Sequence, residues 1–341
     1  MKSSLLFEVR AAAEAGTIPT LTRSGEYVIN SRGQRLHLRT AQASSAKGLI
    51  LYVHGIGAHC SRPNTKYFSS FFTTKLNYHY AAFDFHGHGY SEGERGFINT
   101  YDDLLDDLSS VLSALYRESD KPAGESHHQV NLAPLLPSDC PFFLFGNSMG
   151  GGVTLLFTHL LTHCPPPDAA HPRYSVACKG CILSAPALQI SKPPAAILAL
   201  LDWVVAPLFP TAAVPSVFSS LKSDTLVWDS DDYISYIQRD PLANNAPIVF
   251  RTAQSVMRLC EAVQGAMPLI AAADLRILVF MDPEDKICQF QGVCMLQEVS
   301  PIALRGDVKV VPMVDGRHDL LTNRMDEVAE VVEQWLRDVV V

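Results

Sequence analysis

Apolar residues in this chain fall into short blocks separated by glycine-rich or polar stretches. GLILYV (48–53), YHYAAFDF (78–85), PFFLFG (141–146), GCILSAP (180–186), RILVFM (276–281) and VKVVPM (308–313) are each the length of one strand and mostly apolar. A strand without polar alternation is buried on both faces, as in a parallel sheet covered by helices. Residues 26–30 and 35–39, separated by Ser31-Arg32-Gly33, read as a hairpin-like pair ahead of these blocks. Helical spacing governs 101–116, where Asp102, Asp103, Asp106 and Asp107 fill the first two turns that the helix dipole favours for acids. Ser148 to His163 reads as a second helix, and an amphipathic helix over 325–339 closes the chain. Strands alternating with helices predict an α/β fold, a mostly parallel central sheet flanked by helices.

The block 187–260 breaks that rhythm and is rich in proline and apolar residues, so it reads as an insertion. The expected organisation is an N-terminal extension (1–24), a core made of 25–186 and 261–341, and the inserted block between. Residues 119–138 read as a long surface loop or a disordered stretch, and 164–176 as a long loop.

Gly146-Asn147-Ser148-Met149-Gly150 is a G-x-S-x-G sequence between a buried strand and a helix, the setting a nucleophile elbow requires. The turn is so tight that a side chain at either glycine would collide with its neighbours. Ser148 is thereby presented at the sheet edge and at a helix N-terminus, which favours developing negative charge. A serine is a weak nucleophile at its free pKa and needs a histidine base, itself oriented by an acid. Of the histidines after Ser148, His159 and His163 lie on the helix leaving the elbow and His171 sits among prolines. Only His318 follows a late strand, in Asp315-Gly316-Arg317-His318-Asp319. The loop after the preceding strand offers Asp282, Glu284 and Asp285, and spacing does not choose among them. An oxyanion hole takes the N–H after the nucleophile, here Met149, and a second from a glycine-rich loop after an early strand. His54-Gly55-Ile56-Gly57-Ala58-His59 is that loop, with Ile56 as the second donor.

Other motifs carry less. Gly55-Ile56-Gly57-Ala58-His59-Cys60, with Asp84 ending the next strand, approaches a dinucleotide fingerprint. Cys60, however, stands where the third glycine must be. His86-Gly87-His88 has no third ligand in the sequence nearby, and reads as a turn with a structural histidine. Cys178 and Cys181 enter a buried strand without a shared accessible face, as packing thiols do.

Charge then narrows the function classes. Of 341 residues, 27 are Lys or Arg and 35 are Asp or Glu, a formal charge of −8 that excludes a nucleic-acid partner. Eight cysteines are too few for a disulfide scaffold and suit a reducing compartment. The first residues lack the apolar run of a signal peptide, because Glu8 and Arg10 interrupt it. A cytoplasmic protein is expected. The most apolar stretch, 194–210, is broken by Asp202 and bounded by prolines, so it does not span a membrane.

The chain resembles the α/β-hydrolases of the monoglyceride lipase and lysophospholipase group, also classed as serine aminopeptidase-like hydrolases. The matching stretches are HGIGAH (54–59), FDFHGHGYSEGERG (83–96), FGNSMGG (145–151), RDPL (239–242), DKIC (285–288) and GRHDL (316–320). The elbow carries Asn147 where the group most often has histidine. The resemblance implies Asp285 as the acid, since the group's acid precedes a basic residue, an aliphatic residue and often a cysteine. It likewise implies Ser148 and His318 as nucleophile and base, and Ile56 and Met149 as oxyanion donors. It implies that the inserted block is a helical cap, a lid over an acyl-binding tunnel. The expected reaction is hydrolysis of a lipid carboxylic ester, monoacylglycerol to fatty acid and glycerol, without cofactor or metal. Lysophospholipase, short-chain carboxylesterase and thioesterase use the same residues and are the alternatives. A catalytically dead binding scaffold would be expected to lack the nucleophile or the base. As a helix up to Pro207, 197–209 is apolar on nearly every side: Ile197, Leu201 and Val204 form one face with Leu208 just beyond, and Leu198 and Val205 another that Phe209 continues, so it is either buried in the core or covered in part by lipid. A lid buries one face, which leaves the other for peripheral contact with a bilayer.

Overall fold

Each of the six apolar blocks is a strand in the computed structural model, which describes residues 26–116, 136, 140–163, 178–192, 201–215, 224–272, 275–299 and 308–339. The antiparallel pair β1 (Glu26–Ile29) and β2 (Arg35–Ala41) leads into β3 (Leu49–Val53), β4 (His79–Phe83), β5 (Phe142–Asn147), β6 (Cys178–Ser184), β7 (Arg276–Met281) and β8 (Val308–Pro312). They form one eight-stranded sheet in the order β1-β2-β4-β3-β5-β6-β7-β8. β2 joins β4 antiparallel, and every pairing from β4 to β8 is parallel. β3 and β5 are buried at every position, as their unbroken apolar runs require. Phe145 of β5 packs ring against ring with Phe68 and Phe72, all three within 6.2 Å of one another.

The main helices are α1 (Pro63–Ser70), α2 (Tyr101–Leu115), α3 (Met149–His163), α4 (Asp231–Arg239), α5 (Phe250–Ala272), α6 (Phe290–Val299) and α7 (Met325–Val339). Thr100 caps α2 in a reciprocal box with Asp103, which explains the acidic first turn. α5 packs along α3. Its buried apolar positions are Val256, Leu259, Cys260, Val263, Ala266, Met267 and Ile270, a helical stripe that runs unbroken through residue 260. Residue 260, the expected end of the inserted block, lies within α5.

The expected N-terminal extension and the loop over 164–176 lie outside the described residues, as does 119–138 apart from Leu136. Residues 193–200, with Ile197 and Leu198, lie outside them too. The described remainder of the apolar stretch winds as Leu201–Val205 and Ala206–Leu208. Trp203, Val204, Leu208 and Phe209 are exposed, so exposure follows neither of the two expected faces alone. Among the described residues, no helix is long and apolar enough to cross a membrane.

Candidate active site

β5 delivers Ser148 to the carboxyl edge of the sheet with φ at +52°, in the left-handed region. That strained turn is held by Ser148 N–H on Ser184 O (2.9 Å) and by Ser148 O, which accepts from Gly151, Gly152 and Ala187 N–H. The elbow glycines are enforced by contact. A Cβ at Gly150 would lie 2.2 Å from Val53 O, and one at Gly146 would lie 2.6 Å from Gly150 O.

His318 follows β8 on a loop with positive φ at Asp315 and Arg317. Its Nε2 lies 2.8 Å from Ser148 Oγ, and its Nδ1 lies 2.7 Å from Asp285 Oδ2. A carboxylate only accepts, so Nδ1 donates, and Nε2 is left to accept from the serine hydroxyl. Asp285 Oδ1 in turn accepts Ile287 N–H (2.7 Å) and Cys288 N–H (3.2 Å). The three carboxylates of this loop thus separate by direction. Asp282 spans two loops, accepting Glu284 N–H (2.9 Å) and Arg317 N–H (2.8 Å), while Glu284 pairs with Lys286 at the surface. Asp285 alone of the three faces the imidazole.

The loop 54–59 closes over the serine from the end of β3. A Cβ on Gly55 would lie 3.0 Å from Ser148 Cβ, which sets how near this backbone comes. Ile56 and Met149 line the same cavity as Ser148, and among the described residues neither amide donates a hydrogen bond. The loop is anchored by buried His54, whose Nε2 accepts Phe85 N–H (3.0 Å) while Nδ1 faces Gly55 O (2.7 Å). Burial pushes His54 down to about 4, so the ring is neutral and the Nδ1 proton is fixed. His59 reaches Asp240 at 2.8 Å. Burial pushes that carboxyl up, but the His59 hydrogen bond and charge outweigh it and hold Asp240 below its ordinary value.

The sequence of the family described as serine aminopeptidase, S33, matches residues 44–325. The chain belongs to that family. Mouse monoglyceride lipase is 26% identical to this family member over 313 residues, 90% of this chain and 86% of the mouse protein. Two solved monoacylglycerol lipase structures share the fold. That from Paleococcus ferrophilus has a TM-score of 0.65 and 20% identity, covering 89% of this chain and 99% of its own. The Saccharomyces cerevisiae enzyme, solved with a substrate analogue, has a TM-score of 0.65 and 17% identity, covering 95% and 97%. This S33 protein is thus an α/β-hydrolase akin to the monoglyceride lipases, and a carboxylic ester hydrolase.

In this S33 hydrolase a cavity of about 310 Å³ opens above Ser148, within the range of small-ligand sites. One wall is formed by residues of the segment between β6 and β7, including Asp224, Val227 and Trp228. That segment grips the histidine loop: His318 N–H and Asp319 N–H donate to Leu226 O and Val227 O, and Trp228 Nε1 donates to Asp319 Oδ2 (2.7 Å). Sequence reasoning passed over Arg317, whose guanidinium bonds Thr225 O (2.7 Å) and Trp228 O. It also gave Asp319 no role, and Asp282 only that of one of three candidate acids. Nothing in their spacing distinguished them from solvated loop charges. Of the remaining motifs, His86 bonds Asp107 (2.6 Å) inside the core, and Cys178 and Cys181 are buried.

Proposed function

We propose that this chain hydrolyses monoacylglycerol to a fatty acid and glycerol through an acyl-enzyme on Ser148. The observation that carries the reading is the unbroken line Ser148 Oγ, His318 Nε2, His318 Nδ1, Asp285 Oδ2 at 2.8 and 2.7 Å on the wall of the cavity. Ser148 Oγ attacks the ester carbonyl as His318 Nε2 takes its proton. The oxyanion forms against the unspent amides of Ile56 and Met149, where fixed donors act most strongly because they need no reorganisation. His318 then returns the proton to the departing glycerol oxygen, and the carbonyl–oxygen bond breaks. A water, deprotonated by His318, releases the fatty acid by the same path in reverse. Asp285 holds the imidazole tautomer throughout and stabilises the imidazolium.

The glycerol ester is supported by the names of the relatives. The inserted block 187–260 acts as the cap in this reading, and its exposed Trp203, Leu208 and Phe209 are the surface offered to a lipid bilayer. A reducing, cytoplasmic setting is supported by the seven described cysteines, all of them free thiols. One observation favours a second substrate: Arg62, buried on the cavity wall, has no carboxylate partner among the described residues, and its Nε is unbonded. A phosphate-bearing lysophospholipid would satisfy it. Purified protein should be assayed against long-chain monoacylglycerols, lysophospholipids, acyl thioesters and short p-nitrophenyl esters. The highest kcat/KM on long-chain monoacylglycerol is expected. A preference for lysophospholipid would replace the substrate and keep the mechanism, and inactivity on the whole panel would overturn both.

A further inference from the structure

Behind the loop 54–59, Asp84 follows β4 with its carboxylate fully buried. Oδ1 accepts Cys60 N–H (2.6 Å) and Oδ2 accepts Tyr90 N–H (2.9 Å). Among the described residues it has no ion-pair partner within 4.0 Å. A buried carboxylate is normally paired or coordinated to a metal. His37 and Cys60 lie beside it. One ligand atom each of His37, Cys60 and Asp84 lie within 4.8 Å of one another. His37 Nε2 is buried there without a hydrogen-bond partner, although buried imidazole nitrogens ordinarily find one. None of the three lines the cavity above Ser148.

We infer that His37, Cys60 and Asp84 form a three-ligand site for a zinc ion. The donor set is nitrogen, sulfur and oxygen, which suits borderline-soft Zn²⁺ and not the all-oxygen shell of calcium or magnesium. A neutral imidazole, a thiolate and a carboxylate carry two negative charges, so the loaded site is neutral, as burial demands. Binding releases the Cys60 thiol proton to solvent, and no other bond is made or broken. Zinc–ligand lengths of about 2.0–2.3 Å place tetrahedral ligands about 3.3–3.6 Å apart, so the three atoms need to draw in by about an ångström. His37 supplies that movement. It is half-buried, the least enclosed of the three ligands. Asp84 is held still by its two amide donors and by its own N–H on His37 O (2.9 Å). Water fills the fourth position. The ion would join β2, the end of β4 and the foot of the loop that carries Ile56. Cys60, which spoils the dinucleotide fingerprint, thus becomes a ligand together with the acid once paired with that motif.

The test uses full-length, tag-free protein stripped of metal, titrated with Zn²⁺ against a chromophoric chelator and with Co²⁺ as a spectroscopic substitute. Wild type is expected to bind one Zn²⁺ per chain, and its Co²⁺ form to show thiolate-to-metal charge-transfer absorption. Cys60→Ser should abolish that absorption. His37→Phe should weaken Zn²⁺ by at least about tenfold, the least that loss of even a group behind a ligand costs. His37→Phe breaks no hydrogen bond at Nε2 and keeps the ring contact with Tyr90, so it carries the test should Cys60→Ser fail to fold. His318→Ala should bind as wild type does. Absence of stoichiometric binding, or wild-type affinity in His37→Phe, overturns the site. Loss of binding in His318→Ala would place the ion at the histidine of the cavity and overturn it equally.

Discussion

Asp285→Asn is an almost isosteric change whose consequence follows from the hydrogen bonds on either side of the carboxylate. Oδ1 accepts two backbone N–H groups, from Ile287 and Cys288. An asparagine keeps its carbonyl oxygen there and therefore turns its NH2 toward His318 Nδ1. Two donors cannot face each other, so Nδ1 must become the acceptor and the imidazole proton must move to Nε2. Nε2 then points a proton at Ser148 Oγ, 2.8 Å away, and has no lone pair with which to take one. The loss expected for this tautomer error is about 10⁴ in kcat, or about 5.4 kcal/mol of transition-state stabilisation. KM for a soluble short ester should change little, since Asp285 does not line the cavity. Asp282→Asn is the matched control. Its two oxygens accept Glu284 N–H and Arg317 N–H, so one backbone donor loses its partner wherever the NH2 falls. That costs stability, about 1–3 kcal/mol, and leaves the imidazole tautomer intact. Steady-state hydrolysis of a short p-nitrophenyl ester with thermal melting of both variants separates the two effects. The reasoning is refuted if Asp285→Asn keeps more than about a tenth of wild-type kcat, or if Asp282→Asn is the crippled enzyme with an unchanged Tm.

A fluorophosphonate probe should label wild type and leave Ser148→Ala unlabelled; persistent labelling would mean another nucleophile. Leu208→Asp or Phe209→Asp should weaken sedimentation with neutral liposomes while short-ester hydrolysis survives. Each immersed side chain contributes at most about 1.5–3 kcal/mol, so binding should be reversible, and wild type that ignores liposomes would end the membrane reading. Stability should fall in mild acid. Burial lowers His54 to about 4 and His88 to about 3, against about 6.5 in an unfolded chain, so unfolding takes up a proton at each below pH 6.5. Their contribution is complete above pH 6.5 and is lost as pH drops toward those folded-state values, by as much as about 2.7 kcal/mol per pH unit for the pair. Urea midpoints at pH 7.5, 6.5 and 5.5, a range above most carboxylate titration, would check this, and equal midpoints would contradict it.

The parts of this protein decided by local pattern could be read from the chain directly. An apolar run such as PFFLFG has no polar face to expose, so it can only be an interior strand. G-x-S-x-G after it leaves the backbone one way to turn, because Val53 O and Gly150 O stand where side chains would go. His318 was reachable because its rivals sat on a helix or among prolines. The stripe from Val256 to Ile270 was equally legible, at helical spacing, yet the prolines and apolar clusters before it masked where α5 begins. Other features depend on direction, which spacing does not encode. Asp282, Glu284 and Asp285 lie within four residues, and which of them meets the imidazole depends on the turn that places Asp285 N–H on Asp282 O. The grip of Trp228 on Asp319 joins residues 91 apart, and His37, Cys60 and Asp84 come from one strand and two loops. Such partners meet only because β2 pairs with β4 and the β6–β7 segment folds back over the sheet edge, and long-range packing, not local preference, sets both.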